Sequence, residues 1–493
     1  MNLTKSAILA VSIFCIVVSQ VNCDAKDETT TVKPEAPKEK IKLKDSKLCK
    51  KCNCDFDDFL LDCSEKVEEW LSAEEWEDLT NGDVVFKTIK LEHNNITTVP
   101  ILPTYGVENL YLANNLIDSI AEGAFQNLTE LTTLDLSHNK LTSKVLVPDV
   151  FKGPYTQNDF SALENLKTLN LGYNDLHTLD ADLFEHIPHI EELVLCSNAF
   201  HVIDRLSETA ISGLASLKTL DVSYMEIDDL PETILHGPRD LETLIAAGNL
   251  FHQLPKALNR ATNLTSLVLN QNPIDSLVED NVFPPLTKLT HLSMTYMTKL
   301  FKIGPGAFSE LQSLTELILS DNELLNEIDE EALSKNVTGG EYLDYPPLEK
   351  LYLSNCNITT LPRKLLVRWD KLKALDLRYN PWNCDDSNDY LINVLIEQIN
   401  RTTTVLAKNV QCATPTTLKD VELVRVANEH MMSSSTGSLI WIGLLVVLLI
   451  AVPTLAGAYV MKRRGCFGVF RRNDSGASSA LYNRTSFNED FHI

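Results

Sequence analysis

The chain has 493 residues, 44% of them hydrophobic, and a formal net charge of −25 at pH 7. Without Lys5 and a carboxy-terminal tail of six basic and three acidic residues, the rest carries −29, which would repel phosphate backbones and excludes nucleic acid as a partner. The eleven histidines form no H-E-x-x-H pattern, and the sequence has no G-x-S-x-G turn and no phosphate-cradling glycine loop. We therefore expect no enzyme, no cofactor and no metal site.

The amino-terminal segment predicts export. Residues 1–23 indicate a secretory signal peptide, in which Lys5 precedes an apolar run, 7–18, that is too short to span a bilayer. An uncleaved anchor is the alternative. Residues 24–48 are rich in Lys, Glu, Thr and Pro, and we expect a disordered lead-in there.

Cysteines flank the central part of the chain. Cys49, Cys52, Cys54 and Cys63 lie within fifteen residues, which in a secreted chain implies two disulfides. A zinc site is the alternative, and the secretory route and the lack of a flanking histidine pair disfavour it. Cys384 and Cys412 lie at the far end. A disulfide between them would stabilise the fold by roughly 3 kcal/mol, because it closes a loop and lowers the chain entropy of the unfolded state.

Between these cysteines the pattern L-x-x-L-x-L-x-x-N occurs twelve times, usually about 24 residues apart. This period predicts a solenoid in which each coil contacts only its neighbours. Leucines at the fourth and sixth places should point inward, and the third, fifth, seventh and eighth places should face out. The first places are Phe86, Val107, Leu131, Leu166, Ile190, Leu217, Leu241, Leu264, Leu289, Leu314, Leu348 and Leu372.

The ninth place is Asn in nine of the twelve repeats, and an amide there can satisfy the backbone of a tight turn. The exceptions are Met225, Met297 and Cys356; we expect the methionine positions to be local weak points and Cys356 to be an inert core residue. Two repeats carry insertions, within 143–165 and 329–347, which should form protruding loops. Whether these loops are functional stays open.

Outward places in the middle repeats predict an apolar, tyrosine-edged strip that binds a ligand, since Tyr supplies large amphipathic contacts. The alternative is that Val, Ile and Tyr simply suit strands. Cys196 also faces outward and would be either a free thiol or paired with another chain. The candidate ligand-binding residues are Val194, Tyr224, Ile245, Val268, Tyr296 and Ile318, flanked by Asp135, Asp221, Asp376 and Arg378.

Residues 439–461 contain no charge and are long enough for a transmembrane helix. The basic run 462–464 follows, which places the tail in the cytoplasm and predicts a single-pass type I protein of the plasma membrane. In the tail, Cys466 is a candidate for acylation or an idle thiol, and the last three residues could dock on a cytoplasmic scaffold. Sequons that predict glycosylation occur at Asn95, Asn127, Asn263, Asn336, Asn357 and Asn400.

Residues 49–420 resemble leucine-rich-repeat cell-surface receptors and adhesion proteins. The first cysteine cluster resembles the amino-terminal cap of that family, which implies the pairs Cys49–Cys54 and Cys52–Cys63. The segments 380–384 and 412–418 resemble its carboxy-terminal cap, which usually holds four cysteines. Here Asp386 stands at the second position and no fourth cysteine precedes the membrane, which leaves Cys384–Cys412.

The resemblance implies an α/β solenoid, shaped as a horseshoe with a parallel sheet on its concave face and disulfide-bonded caps. We expect a recognition receptor or adhesion protein that binds an extracellular protein; the alternatives are an innate immune pattern-recognition receptor and a non-signalling co-receptor or decoy. With so short a tail, signalling would require a co-receptor, a homodimer or a scaffold. The expected segments are signal 1–23, lead-in 24–48, cap 49–85, repeats 86–379, cap 380–424, juxtamembrane linker 425–438, transmembrane helix 439–461 and tail 462–493.

Overall fold

The computed structural model describes residues 42–156, 159–160, 162–336, 343–367, 372–402 and 408–463. The expected signal peptide, most of the expected lead-in, Cys466 and the last three residues lie outside the described residues.

One sheet of fourteen strands runs along the described chain. Its first two strands, Asn53–Asp55 and Leu60–Asp62, form an antiparallel hairpin, and the second of them pairs in parallel with the first of twelve three-residue strands. These twelve follow one another in sequence order, so each belongs to one coil, and the predicted solenoid with a parallel sheet is confirmed. From coil 1 to coil 12 the strands are Thr88–Lys90, Asn109–Tyr111, Thr133–Asp135, Thr168–Asn170, Glu192–Val194, Thr219–Asp221, Thr243–Ile245, Ser266–Val268, His291–Ser293, Glu316–Ile318, Lys350–Tyr352 and Ala374–Asp376.

Parallel pairing without a register shift aligns equivalent places of neighbouring coils. Leu169 lies opposite Leu134 on one side and Leu193 on the other. The fourth- and sixth-place side chains are buried along the whole solenoid, as the repeat pattern predicts. Burying one such leucine stabilises the fold by about 1.5–3 kcal/mol relative to leaving it exposed.

The ninth-place asparagines connect neighbouring coils. Asn249 Nδ2 donates to the carbonyl of Val222 in the preceding coil at 2.9 Å and to that of Ala246 in its own coil at 3.2 Å. Its Oδ1 accepts the backbone N–H groups of Met225 and Ile227 from the preceding coil. All nine asparagines donate to a carbonyl of the preceding turn of chain at 2.7–3.1 Å.

The three exceptional ninth-place residues are also buried. Cys356 Sγ donates to the carbonyl of Leu319 at 3.2 Å, the acceptor that an asparagine would use, so the thiol is a weak substitute for the amide. Met225 and Met297 have no such donor, although the main-chain carbonyl of Met225 accepts the N–H of His201. The weakness expected at the two methionines stays a prediction.

The return segments of the coils carry short elements. They include a second parallel sheet, Ser276–Leu277, Lys302–Ile303 and Glu327–Ile328, and the pair Thr98–Val99 with Ser119–Ile120. The rings of Phe283 and Phe308 stack at 5.7 Å between centroids. Helical turns in these segments are the 3₁₀-helices Pro148–Phe151, Lys256–Arg260 and Arg363–Leu366 and the α-helix Arg205–Ser212.

The two insertions do more than protrude. In the first, Leu146, Val150 and Phe151 are buried, and the ring of Phe151 stacks on Phe125 at 6.3 Å. The expectation of a plain surface loop is therefore wrong for this part, because its apolar side chains extend the core. Each insertion also contains an antiparallel pair of short strands, Tyr155–Thr156 with Asp159–Phe160 and Lys335–Asn336 with Leu343–Asp344.

The amino-terminal end is closed by a cap that includes part of the expected lead-in. The 3₁₀-helix Leu43–Asp45 and the α-helix Lys47–Lys51 place Leu43 and Leu48 in the core with no exposed surface. Disorder is therefore the wrong expectation for residues 42–48. The helix Ala73–Thr80 follows, with a capping box of Ser72 and Glu75. Disulfides pair Cys49 with Cys54 and Cys52 with Cys63.

The carboxy-terminal end is closed in a similar way. The strands Trp382–Asn383 and Cys412–Thr414 pair in parallel, and a disulfide joins Cys384 to Cys412. The fully buried Trp382 donates its indole N–H to the carbonyl of Leu377 at 2.9 Å. The 3₁₀-helix Asp386–Asn388, the π-helix Leu391–Leu395 and the α-helix Ile396–Thr402 complete the cap.

The last element is a 41-residue α-helix, Leu423–Arg463. Its first turns pack on the cap through the buried Leu423 and Val426, and it continues through residues 425–438, where we expected a linker. The segment Gly443–Val460 is long and apolar enough to cross a membrane by length and composition, and none of it is buried against the rest of the chain.

The asparagine bridges yield a stability prediction. Asn249→Ala should lower the free energy of unfolding by about 2–4 kcal/mol, because the buried carbonyl of Val222 and the N–H of Ile227 lose their partner. Urea unfolding of the full-length protein in detergent, followed by circular dichroism, measures the loss. Asn259→Ala is the control. Because Asn259 is exposed, this substitution should lower the free energy of unfolding by less than about 0.5 kcal/mol. Equal midpoints for the two variants would contradict a bridging role.

Candidate functional site

The predicted apolar strip on the sheet is shorter than expected. Ile245 and Val268 are direct neighbours across paired strands. Asp221 lies between Val194 and Ile245, however, and Ser293 lies between Val268 and Ile318. The predicted strip is therefore interrupted, because one polar residue separates each outer member from the central pair.

The acidic residues that flank the strip are engaged in their own turns. The carboxylates of Asp135, Asp221 and Asp376 each accept the backbone N–H of the residue two places on, at 2.8–3.2 Å. Such Asx interactions fix the chain as it leaves the strand. These carboxylates are thus committed to local structure.

Asp376 is bound further by Arg378. The guanidinium donates Nε to Oδ1 at 2.8 Å and Nη2 to Oδ2 at 2.7 Å. Burial by itself would raise the pKa of Asp376, but the hydrogen bonds from Arg378 outweigh it and hold the pKa below its usual value. This flanking pair is therefore already neutralised.

The eighth place has a property that the repeat pattern did not reveal. All twelve eighth-place residues have left-handed backbone, with φ between 52° and 65°. Only one of them is glycine, and a non-glycine residue in this region costs roughly 1–2 kcal/mol. The residues are His93, Asn114, His138, Tyr173, Ser197, Tyr224, Gly248, Gln271, Tyr296, Asp321, Asn355 and Tyr379.

Eighth-place side chains form a row along the carboxyl ends of the strands, and some neighbours in the row touch. The rings of His138 and Tyr173 stack with 3.9 Å between centroids. In coils 6–10 the row borders a groove of about 830 Å³, which we call the tyrosine groove. Its lining residues are Tyr224, Gly248, Asn249, Leu250, Gln271, Pro273, Tyr296, Met297, Thr298, Asp321, Glu323 and Leu324.

The tyrosine groove contains two of the six predicted ligand-binding residues. Tyr224 and Tyr296 line it and are 47% and 55% exposed. The other four, at the fifth places of their repeats, are half-buried and do not line the groove. Sequence reasoning missed the rest of the groove. The signal that the sequence does contain is the recurrence of Tyr and His at the eighth place.

Tyr224 is positioned by glycine in the next coil. A Cβ added to Gly248 would lie 2.2 Å from Cδ1 of Tyr224, so the ring rests directly on the glycine backbone. From there the Tyr224 hydroxyl donates to Oε1 of Gln271 at 2.8 Å. Tyr224 therefore reaches from coil 6 to coil 8 because coil 7 has no side chain in the way.

Tyr296 stands at the acidic end of the groove. The negative charge of Asp321, followed by a hydrogen bond to its carboxylate, raises the pKa of Tyr296 above the usual value of a tyrosine. Glu323 adds a second negative charge, and Leu250, Pro273 and Leu324 supply apolar surface. Such a groove suits an apolar side chain that lies next to a cation.

The predicted glycosylation sites occupy different environments. Asn95 and Asn357 are exposed, and Asn127, Asn263 and Asn400 are half-buried. Asn336 ends the strand Lys335–Asn336. Among the described residues, no group of three or more His, Cys, Asp or Glu side chains is placed to hold a metal ion.

Cys196 is a free thiol at the seventh place of coil 5. It is half-buried, and its Sγ would lie 2.9 Å from a Cβ on Gly172 in the preceding coil. Burial, followed by the negative charge of Asp221, raises the pKa of Cys196 to about 11. Burial also raises the pKa of Cys356, to about 12.

Comparison with known proteins agrees with this architecture. Leucine-rich-repeat models match residues 106–154, 157–200 and 347–368, and a model of the BspA-type leucine-rich-repeat region matches residues 255–346. The chain is 30% identical to lumican of Mus musculus over 288 residues, which are 58% of this chain and 76% of that protein. It is 29% identical to lumican of Coturnix japonica over 297 residues, which are 59% of this chain and 80% of that protein.

Among solved structures, a chain of the Drosophila Toll–Spatzle complex aligns with 19% identity and a TM-score of 0.45. The alignment covers 72% of this chain and 55% of that one, so this chain spans about half of its length. From the matches to lumican, together with the twelve coils, the chain belongs to the leucine-rich-repeat family.

The raised thiol pKa values yield a second prediction. Compared with a cysteine at the ordinary value of 9.0, Cys196 should be alkylated by iodoacetamide about 100-fold more slowly at pH 8, because only the thiolate attacks. Mass spectrometry of the peptide that contains Cys196, sampled over time, gives the rate. Unfolding in guanidinium should restore ordinary reactivity. Rapid labelling of the folded protein would contradict the environment described for this thiol.

Proposed function

We propose that this chain is a non-enzymatic cell-surface recognition receptor or adhesion protein that binds an extracellular protein through the concave side of its solenoid. The proposal rests on the tyrosine groove, which lies beside the strands that contain Ile245 and Val268. Exposed tyrosines around a concave apolar surface are typical of the anchoring points of protein interfaces. Solenoids present such extended concave surfaces to partners.

The charges of the groove define the chemistry of the partner. Asp321 and Glu323 line it together with apolar residues, and the described solenoid is part of a strongly acidic chain. A partner segment with an aromatic or aliphatic side chain next to Lys or Arg would be complementary in both respects. The net charge also disfavours nucleic acid.

Two features support a plasma-membrane location with the solenoid outside the cell. Three disulfides close the two caps, and such bonds persist in oxidising compartments. The apolar segment Gly443–Val460 is followed in sequence by the basic run 462–464, which favours a cytoplasmic tail. We propose a co-receptor, a second copy of the chain or a cytoplasmic scaffold as its partners in signalling.

The groove can be tested on living cells. The double variant Tyr224→Asp/Tyr296→Asp should bind its partner about 30-fold more weakly or worse, because a single central tyrosine of an interface already contributes about 2 kcal/mol. The measurement is proximity labelling by a peroxidase inserted after residue 30 of the full-length protein, behind the expected signal peptide, with quantitative comparison of the labelled extracellular proteins.

Leu206→Asp is the matched control for this experiment. Leu206 is 51% exposed, between the values of the two tyrosines, but lies on the return helix Arg205–Ser212 outside the groove. A partner should be labelled by the wild type and by this control and lost with the double variant at equal surface expression. An unchanged set of labelled proteins in all three would overturn the proposed binding surface.

Topology can be tested separately. We expect a tag inserted after residue 30 to be stained by antibody on intact cells, and a tag at the carboxy terminus to be stained only after permeabilisation, because the basic run 462–464 stays inside. Staining of the carboxy-terminal tag on intact cells would contradict the type I orientation.

A further inference from the structure

A second cavity lies at the amino-terminal cap, far along the chain from the tyrosine groove. It has a volume of about 550 Å³, within the range of about 300–1,000 Å³ typical of small-molecule sites. The helix Ala73–Thr80 and the segment 100–103 form much of its wall. We call it the cap cavity. The residues that matter here are Trp70, Trp76, Pro100, Ile101, Pro103 and Asn127.

The walls of the cap cavity are apolar and partly open to solvent. The rings of Trp70 and Trp76 stack with 6.3 Å between centroids, and Ile101 is 53% exposed. The indole N–H groups of both tryptophans are buried without a hydrogen-bond partner among the described residues. Packing alone therefore holds these rings, and any group that covers the cavity would stabilise the cap.

Asn127 stands in the wall of this cavity and begins the sequon Asn127-Leu128-Thr129. Its Nδ2 donates to the carbonyl of Leu102 at 2.8 Å, which fixes the amide beside Ile101 and Pro103. This bond uses one of the two amide hydrogens. The other hydrogen is replaced when a glycan is attached, so the bond to Leu102 is compatible with glycosylation.

We infer that an N-linked glycan on Asn127 covers the cap cavity, with the apolar face of its first N-acetylglucosamine packed on Trp70, Trp76 and Ile101. The attachment uses a polyprenyl-diphosphate-linked oligosaccharide. Nδ2 loses one proton and bonds to C1 of the sugar, the bond from C1 to the phosphate oxygen breaks, and the polyprenyl diphosphate leaves with the electron pair and takes up the proton. The inference relies on the secretory route of the proposed function.

Asn263 is a close internal comparison. It begins the same sequon, Asn-Leu-Thr, and its Nδ2 likewise donates to a carbonyl of the preceding coil, that of Arg239, at 2.7 Å. Its Oδ1 accepts from Lys288 Nζ at 2.7 Å, and it is absent from the lining of the cap cavity. A glycan at Asn263 should therefore be an ordinary surface modification.

The test uses full-length protein purified in detergent from cells that glycosylate. Thr129→Ala removes the sequon without changing Asn127 or its bond to Leu102, since Thr129 is exposed; Thr129→Ser keeps the sequon. We expect Thr129→Ala to lower the thermal midpoint by about 2–4 °C, and to increase both acrylamide quenching of tryptophan fluorescence and hydrogen exchange in 73–80. Thr129→Ser should behave as the wild type, and Asn263→Gln should leave the tryptophan quenching and the hydrogen exchange in 73–80 unchanged.

A second experiment uses the folded wild-type protein. Trimming by an endoglycosidase that leaves a single N-acetylglucosamine should preserve the midpoint and the quenching, because that first sugar provides the cover. An unmodified Asn127 in mass spectra, or equal effects of Thr129→Ala and Asn263→Gln, would overturn the inference. If Asn127 alone is unmodified, the proposed function stands; if all the sequons are unmodified, the extracellular location fails as well.

Discussion

The structure depends on the asparagine amide at the ninth place of nine of its twelve coils. Asn249 and its equivalents donate to the preceding coil and to their own, and accept N–H groups from the preceding coil. A coil that stood alone would leave these buried groups without partners, each at a cost of about 1–3 kcal/mol. Stacking is therefore obligatory, and an exposed first or last coil requires a cap.

The same turn creates the surface that we consider functional. The chain enters the ninth place through a residue with positive φ, and this constraint repeats in every coil. The eighth-place side chains consequently form a row, in which Tyr224 and Tyr296 remain exposed. Gly248 relieves the strain in one coil, and the space that it leaves is occupied by Tyr224. Stability and the proposed recognition surface thus depend on a single backbone feature.

The two ends of the solenoid cover the core of their terminal coils with different structures. At the amino terminus, a hairpin, two disulfides and Leu43 and Leu48 cover the first coil, but Trp70 and Trp76 leave an apolar cavity open. At the carboxyl end, Trp382 is fully buried and its N–H is satisfied. The amino-terminal cap is therefore the end at which an added cover would have the larger effect.

The sequence by itself determined the twelve coils, the inward direction of residues such as Leu169, and the role of the ninth place, because all three follow from a local period. It also indicated the cysteine pairs through the resemblance to known caps. Only the tertiary structure decided that residues 42–48 fold into the cap and that Tyr224 crosses Gly248. These features depend on which side chains meet across neighbouring coils, and a pattern within one repeat does not contain that information.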